Sequence, residues 1–363
     1  MEFVDLKAQY RAYREEIEAA LSRVVAGARF INGPEVAELE EKLAAFVGCR
    51  EAVACASGTD ALSLALLAFG LGPGDEVITT PFTFIATAEV ISLAGARPVF
   101  VDIEEETFNL DPARLAAAVT PATRAIIAVD LYGHPAAWEE LEKFAAERNL
   151  ILIEDAAQSL GARCRGRVCG SFGRLAATSF FPAKPLGCYG DGGMLFTDDQ
   201  GLAEELRVFR NHGQKKRYFH EVIGCNSRLD TLQAAVLLAK LPHFEREIEL
   251  RNQVAERYSE PLREAFITPR VRSGCTSVYA QYTLRTPQRE KVLTALKQAG
   301  IPVAVHYPVP LHRQPAFAGL GYREGDFPVA ERAAREVFSL PMHPFLTAAD
   351  QEGIIRVLRQ CTN

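Results

Sequence analysis

The sequence predicts an α/β protein built on a mostly parallel sheet with helices on both faces. Between residues 51 and 197, short apolar runs rich in Val, Ile and Phe alternate with helix-like segments. This alternation is typical of a parallel sheet because successive parallel strands need a crossover connection, which is usually a helix. Turn signals such as residues 72–75 (GPGD) separate the segments, so we expect short connections and a compact domain.

The apolar runs predict a seven-stranded sheet. The strands are expected at residues 52–56, 76–80, 97–102, 125–131, 150–155, 176–181 and 193–197. Helices are expected between them, for instance at residues 59–69 and 138–148.

A smaller α+β unit is expected after this sheet. Residues 232–263, dense in Leu, Ala, Glu and Arg, predict a long helix with a kink at Pro242. Beyond it we expect strands at 279–285 and 302–305 and helices at 290–299 and 331–338. The 363 residues are enough for about two domains, which we predict at residues 1–240 and 241–363.

Composition argues against several classes of partner. With 46 acidic and 40 basic residues the net charge is -6, which offers no broad attraction for nucleic acid or an anionic membrane. No apolar run is long enough to cross a bilayer, and no export signal opens the chain, so we expect a cytoplasmic protein. The eight cysteines lack the spacing of a metal site and are expected to be reduced thiols.

Lys184 is the first candidate catalytic residue. It lies in residues 179–187 (SFFPAKPLG), directly after a predicted buried strand and within a turn. A lysine removed from solvent can lose its proton near neutral pH and form a Schiff base with an aldehyde cofactor. The alternative is a solvated loop lysine.

Asp155 supports the catalytic interpretation. The strand before it (ILIE) delivers this carboxylate to the edge of the sheet at which α/β proteins bind ligands, and Lys184 follows the next strand at the same edge. A carboxylate there can pair with the protonated nitrogen of a pyridine ring. A helix cap is the alternative role for Asp155.

A phosphate site is expected at the strand-to-helix turn of residues 56–62 (ASGTDAL). Free backbone N–H groups and the helix dipole at such a turn attract phosphate, which makes Ser57, Gly58 and Thr59 the candidates. Helix capping without any ligand is the alternative.

With these elements, the chain resembles the DegT/DnrJ/EryC1/StrS family of sugar aminotransferases, which use pyridoxal 5′-phosphate on the aspartate-aminotransferase architecture (fold type I). The landmarks of the resemblance are residues 58–62 (GTDAL), 154–158 (EDAAQ), 179–184 (SFFPAK), 190–193 (GDGG) and 226–230 (NSRLD). The resemblance as a whole covers nearly the entire chain. Some members carry His at the lysine position and dehydrate their sugar, and Lys184 argues against that branch.

The resemblance implies a role for each candidate cofactor-binding residue. Lys184 would bond to the cofactor aldehyde, Asp155 would pair with the ring nitrogen, and Gln158 would lie near the ring hydroxyl. Phe84 would stack on the ring. The phosphate would be held by Gly58, Thr59 and Ser179, together with Asn226 from a second subunit of a homodimer that shares its sites.

The resemblance also implies a substrate class. Residues 184–193 and 305–308 are most similar to the transaminases of UDP-2-acetamido-2-deoxy-3-oxo-glucuronate, with glutamate as the donor and a cell-surface polysaccharide as the destination. Arg228, His306 and Tyr307 could meet the polar groups of such a substrate, or serve as an interface salt bridge and a packed turn. A 4-keto-6-deoxyhexose on a dTDP, GDP or UDP carrier is an alternative substrate. A non-catalytic protein that binds pyridoxal phosphate or a nucleotide is an alternative from another class.

Overall fold

The computed structural model describes residues 1–362. Its strands, in chain order, are β1 (Glu51–Cys55), β2 (Glu76–Thr79), β3 (Arg97–Phe100), β4 (Thr123–Val129), β5 (Ile151–Asp155), β6 (Arg163–Cys164), β7 (Arg167–Val168), β8 (Leu175–Ser179), β9 (Gly193–Thr197), β10 (Gln214–Lys216), β11 (Phe219–His220), β12 (Tyr282–Arg285) and β13 (Val337–Leu340). Seven of them form one sheet in the order β1-β9-β8-β5-β4-β2-β3. Strand β9 runs antiparallel to β1 and β8, and the other neighbours are parallel.

Helices surround this sheet and continue beyond it. They are α1 (Leu6–Ala12), α2 (Arg14–Gly27), α3 (Pro34–Val47), α4 (Gly58–Ala68), α5 (Ala86–Leu93), α6 (Leu115–Ala118), α7 (Trp138–Arg148), α8 (Gln200–Phe209), α9 (Thr231–Lys240), α10 (Phe244–Leu262), α11 (Arg289–Gln298), α12 (Pro328–Glu336) and α13 (Ala348–Thr362). No helix among residues 1–362 combines the length and apolar composition needed to cross a bilayer.

Both faces of the large sheet are buried. Alternate residues of a strand point to opposite faces, so Ile127 of β4 packs with α4, α5 and α8 while Ile126 packs with α7. In the same way Ala52 of β1 packs with α3 and α9, and Val53 packs on the other face. Burial on two faces explains why these strands are nearly continuous apolar runs in the sequence.

The predicted sheet is confirmed, with each strand within two residues of its expected start or end. The predicted long helix is broken in two, because Leu241–His243, which contains Pro242, forms a 3-10 turn between α9 and α10. The predicted strand at 302–305 is wrong, since only Ala304 makes an isolated bridge, to Ser339. The predicted helix at 331–338 ends at Glu336, where the chain enters β13.

A second core lies in the C-terminal part of the chain. Strands β12 and β13 pair antiparallel, and their apolar side chains pack with α10, α11 and α13. This α+β arrangement matches the smaller unit expected from the sequence, whereas the domain boundary at residue 240 stays a prediction.

A buried pair of carboxyl groups ties the ends of the central strands β4 and β5 together. Glu154 of β5 accepts hydrogen bonds from the backbone N–H groups of Gly170 and Phe172, both at 2.8 Å. Asp130, directly after β4, accepts from the Trp138 indole at 3.0 Å and from other donors, and its carboxyl oxygen lies within 4.8 Å of one of Glu154. Burial raises the pKa of Asp130 to about 6 and raises that of Glu154 well above its usual value, so both carboxyl groups keep their protons to a higher pH than in the unfolded chain.

This pair gives a testable pH dependence of stability. Because the folded pKa of Asp130 is raised, the folded state binds a proton that the unfolded chain has lost, and the stabilising contribution of the pair falls as pH rises from about 4 to 6. Asp130→Asn supplies an N–H donor to Glu154 without a titrating proton. We expect the unfolding free energy of the variant, relative to wild type, to increase by about 1–2 kcal/mol between pH 4.5 and 7.5, measured by urea denaturation. Glu264→Gln, at an exposed position, should show no such trend. If the difference in unfolding free energy between Asp130→Asn and wild type stayed constant with pH, the raised pKa of Asp130 would be contradicted.

Candidate active site

A cavity of about 480 Å³ opens at the carboxyl ends of the parallel strands β5 and β4, beside the end of β8. Most of the candidate residues line it, namely Ser57, Gly58, Thr59, Phe84, Asp155, Gln158, Ser179, Lys184, His306 and Tyr307. Residues far apart in the sequence therefore converge, because parallel strands deliver their C-terminal residues to the same edge of the sheet. Asn226 and Arg228 do not line the cavity of their own chain.

Asp155 ends β5 at the floor of the cavity and is only 5% exposed. Its carboxylate accepts a hydrogen bond from the Thr87 hydroxyl at 2.8 Å and one from the backbone N–H of Ala157 at 3.2 Å. Burial raises the pKa of Asp155, while these two donors and the charge of Lys184 oppose the rise. No helix follows Asp155, since residues 157–161 form a turn, and the helix-cap alternative is therefore wrong.

Lys184 lies in the loop after β8 and is half-buried at the cavity wall. Burial lowers the pKa of its amine, and the charge of Asp155 opposes that effect. Within residues 1–362 no carboxylate lies within 4.0 Å of its Nζ, so the amine and Asp155 face the same space without forming an ion pair. The cavity of about 480 Å³ that both groups line is large enough for a flat ligand.

The loop that carries Lys184 is fixed by a second buried lysine. Lys240 at the end of α9 donates a hydrogen bond from Nζ to the carbonyl oxygen of Gly187 at 2.6 Å, and its ammonium lies over the ring of Tyr189 at 4.6 Å. A Cβ at Gly187 would approach the carbonyl oxygen of Pro182 to 2.5 Å, so the tight turn requires glycine there.

The N-terminus of α4 forms the second wall of the cavity. Ser57 caps the helix by accepting from the N–H of Asp60 at 3.0 Å, and the N–H groups of Gly58 and Thr59, in the first turn, have no intrahelical partner. A Cβ at Gly58 would lie 2.6 Å from the Cβ of Ser179, so glycine is what lets the helix approach β8. These N–H groups, the Ser179 hydroxyl and the positive end of the helix dipole suit a phosphate.

Gln158 and Tyr307 form the third wall. The side-chain oxygen of Gln158 accepts from the backbone N–H of Tyr132 at 2.8 Å, and its amide nitrogen donates to the Tyr307 hydroxyl at 3.4 Å. Phe84 stands at the mouth, 54% exposed, with its ring centroid 6.2 Å from that of Tyr307. An aromatic side chain left this exposed beside a polar cavity has a face free for a ring-shaped ligand.

His306 connects this wall to the small sheet. Its Nδ1 lies 3.0 Å from the hydroxyl of Ser339 on β13, and its carbonyl oxygen accepts a hydrogen bond from Tyr132. The Ser339 hydroxyl in turn lies 2.9 Å from that of Thr283 on β12. Burial lowers the pKa of His306, with a smaller effect from the charge of Lys184, so the ring is mainly neutral at pH 7.

Three functional candidates escaped sequence reasoning. Thr87 holds Asp155, Lys240 holds the Lys184 loop, and Gln281 lines the cavity with a buried Oε1 that has no hydrogen-bond partner within the described chain. Each is a residue type common in helices and strands, and none stands in a glycine-rich or strand-end motif. Only the tertiary contacts identify them.

The comparisons with known proteins agree with this geometry. Residues 11–359 match the DegT/DnrJ/EryC1/StrS aminotransferase family. UDP-2-acetamido-2-deoxy-3-oxo-D-glucuronate aminotransferase of Pseudomonas aeruginosa is 51% identical over 359 residues, which cover 99% of each chain. A pleiotropic regulatory protein of Geobacillus stearothermophilus is 48% identical over 361 residues, 98% of this chain and 97% of its own. The crystal structure of a DegT DnrJ EryC1 StrS aminotransferase from Brucella abortus superposes over the whole of both chains, with a TM-score of 0.98 and 44% identity.

Thr87 offers a test of the hydrogen bond to Asp155. Thr87→Val removes a donor that favours the ionised carboxylate, so the pKa of Asp155 should rise. If catalysis needs the carboxylate, the acidic limb of the kcat profile should move to higher pH and kcat should fall about tenfold. Thr87→Ser keeps the hydroxyl and should behave like wild type. A loss of kcat with an unmoved acidic limb would mean that Thr87 acts through packing alone.

Proposed function

The chain belongs to the DegT/DnrJ/EryC1/StrS aminotransferase family, and on this premise we propose that it transfers an amino group from L-glutamate to UDP-2-acetamido-2-deoxy-3-oxo-D-glucuronate. The product would be the 3-amino sugar, used for a cell-surface polysaccharide. The observation that carries the proposal is the placement of the Lys184 amine and the Asp155 carboxylate on one cavity, beside a helix N-terminus. The full-length similarity to the Pseudomonas enzyme supports the substrate.

Aminotransferases of this family depend on pyridoxal 5′-phosphate, and the cavity fits that group in three respects. The first-turn N–H groups of α4 would hold the phosphate, because Gly58 and Thr59 line the cavity and their N–H groups have no intrahelical partner. Asp155 would hold a proton on the ring nitrogen. The partly desolvated amine of Lys184 would bond to the aldehyde, since burial raises the share of its uncharged form.

Lys184 would then serve as the proton carrier of the transfer. The bound cofactor supplies an electron sink for the negative charge that develops at the substrate carbon. With its amine free, Lys184 would accept the proton from that carbon and release it to the carbon on the other side of the transferred nitrogen. The reverse transfer would complete the reaction with the sugar ketone. Gln158 and Tyr307 would hold the ring in position beside Lys184.

The proposed substrate places more negative charge in the site than one chain can balance. The bound groups would include a cofactor phosphate, a diphosphate and a uronate carboxylate. Among residues 1–362, the only basic side chains that line the cavity are Lys184 and His306, and His306 is mainly neutral. Asp191 adds a further negative charge to the lining. Arg228 lies outside, with a weak 3.4 Å hydrogen bond to Asn211 and a buried Nε that has no partner within the described chain. We infer that Arg228 and Asn226 act at the cavity of a second copy.

An exposed apolar hairpin next to Arg228 supports assembly of two copies. Four large apolar side chains are exposed in the β10–β11 hairpin and the turn that follows it: Tyr218 (79%), Phe219, Val222 and Ile223 (90%). Adjoining apolar side chains of this size are uncommon on the surface of a monomer and usually mark a protein interface. The need for cations at the cavity argues for a second copy of the same chain as the partner, in a homodimer.

The retained chemistry weighs against a purely regulatory protein. A protein that only binds a nucleotide or the cofactor has no need of a desolvated amine opposite a buried carboxylate, because both cost folding free energy. The similarity to a regulatory protein of Geobacillus stearothermophilus therefore does not favour that function for this chain.

The substrate is tested by a panel assay with L-glutamate as donor. We expect kcat/KM for UDP-2-acetamido-2-deoxy-3-oxo-D-glucuronate to exceed that for dTDP-linked, GDP-linked and UDP-linked 4-keto-6-deoxyhexoses about 10- to 100-fold, because charge-assisted contacts to the carboxylate are lost with the latter. Lys184→Ala should abolish turnover with every sugar and remove the visible absorbance of the bound cofactor. Lys291→Ala, at an exposed position of α11, is the matched control and should leave both unchanged. A higher kcat/KM for a deoxyhexose would overturn the substrate, and an unchanged spectrum of Lys184→Ala would overturn the role of the lysine.

The shared site is tested by mixing inactive variants. Lys184→Ala and Arg228→Ala should each be nearly inactive alone. In a mixed dimer, one site would combine an intact Lys184 with an intact Arg228 from the other chain, and the second site would lack both. Random reassortment should then restore roughly a quarter of wild-type activity, because about half of the dimers are mixed and each has one intact site. No recovery despite mixed dimers on native mass spectrometry would mean that Arg228 serves its own chain.

A further inference from the structure

Two cysteines lie side by side on neighbouring segments, and neither lines the cavity of Lys184. Cys164 of β6 and Cys275 are directly opposite in an isolated antiparallel bridge, and their sulfur atoms are 2.8 Å apart. The backbone hydrogen bonds flank the pair, from the N–H of Arg165 to Gly274 at 2.8 Å and from that of Thr276 to Arg163 at 2.7 Å. The two cysteines therefore form a non-hydrogen-bonded pair, the position at which side chains on antiparallel strands come closest.

We propose that Cys164 and Cys275 form a reversible intrachain disulfide when the protein meets a small-molecule disulfide such as oxidised glutathione. Non-hydrogen-bonded antiparallel neighbours have Cα atoms about 4.5 Å apart, within the range of about 4.4–6.8 Å that a disulfide spans. Bond formation therefore needs side-chain rotation and no movement of the backbone. The function of this site is independent of the proposed aminotransferase reaction.

The exchange proceeds in two balanced steps. Cys275 is half-exposed and Cys164 is buried, so the Cys275 thiolate attacks one sulfur of oxidised glutathione and releases the first glutathione thiolate. The Cys164 thiolate then attacks the sulfur of Cys275 in this mixed disulfide and releases the second. Two protein thiols are oxidised, one small disulfide is reduced to two thiols, and the protons pass to water or to the released glutathione.

The neighbourhood makes this pair distinct from the other cysteines. Within the described residues, no other two cysteine sulfurs lie within hydrogen-bonding distance, and the exposed Cys225 has only a 3.7 Å contact to a backbone carbonyl. Burial and the neighbouring Cys164 raise the pKa of Cys275 to about 12, so little thiolate exists at neutral pH. The thiols therefore persist until an oxidant is supplied, and the exchange is expected to take hours.

The bond would join parts of the chain that are distant in sequence. The disulfide links the β6–β7 hairpin to the segment before β12. That segment is already held to the chain that follows β4, because the Val278 N–H and the Ser277 hydroxyl donate to the carbonyl of Gly133 at 3.1 and 2.9 Å. Closing a loop of this length restricts the unfolded chain strongly, so oxidation should stabilise the folded protein. Because the backbone does not move, kcat should change less than about twofold.

The experiment uses the full-length protein and its Cys225→Ser variant, incubated with oxidised glutathione at pH 8.5. We expect an intact mass lower by two hydrogen atoms, a tryptic peptide pair joined through Cys164 and Cys275, and an apparent melting temperature higher by about 5 °C that dithiothreitol reverses. Cys164→Ser and Cys275→Ser should lose all three changes.

Two results would overturn the proposal. One is an unchanged mass of the Cys225→Ser variant while the exposed Cys225 of the wild type becomes glutathionylated, which would show that the oxidant was active and the pair unreactive. The other is stable glutathione adducts on Cys275 without the linked peptide. Peptide mapping of the wild type decides both, so the proposal stays testable even if the serine variants fold poorly.

Discussion

Desolvation of a carboxylate and an amine at one edge of the sheet is the constraint on which the rest of the site depends. Asp155 stays in a buried position because Thr87 and the N–H of Ala157 replace part of its lost water. Lys184 is not neutralised by that carboxylate, since they form no ion pair. Burial therefore acts on both groups at once: it lowers the pKa of the amine and raises that of the carboxyl group, while the two donors to Asp155 favour its ionised form.

The supporting structure is a set of close approaches that only small residues allow. Gly58 lets α4 reach β8, and Gly193 lets β9 pass within reach of Ser57, where a Cβ would come within 2.3 Å of a carbonyl oxygen. Behind this layer, the buried pair of Asp130 and Glu154 holds the strand that ends in Asp155. Rigid backbone positions near the cavity are what a proton carrier requires, because transfer is sensitive to small errors in distance.

In the proposed function, one chain would supply only part of the site. Arg228 has a buried Nε without a hydrogen-bond partner in the described chain, and the cavity has a shortage of positive charge. A second copy, bound through the exposed apolar hairpin, would bring its Arg228 to this cavity. The small α+β unit contributes as well, since His306 is held by Ser339 and Thr283 at the cavity wall. In the proposed reaction, substrate selection would therefore involve elements outside the large sheet, whereas Lys184 and Asp155 lie at the sheet edge itself.

The sequence by itself determined the seven strands, the sheet edge and the placement of Lys184 and Asp155 at that edge, because apolar period and strand-end position are local signals. The apolar pattern of residues 302–305 predicted a strand, but in the structure only Ala304 makes an isolated bridge, to Ser339. The sequence also could not find Thr87, Lys240 or the contact of Cys164 with Cys275, because partners between 53 and 111 residues apart leave no local periodicity. Packing alone decides which of many ordinary threonines, lysines and cysteines meet, since those contacts depend on where whole elements lie.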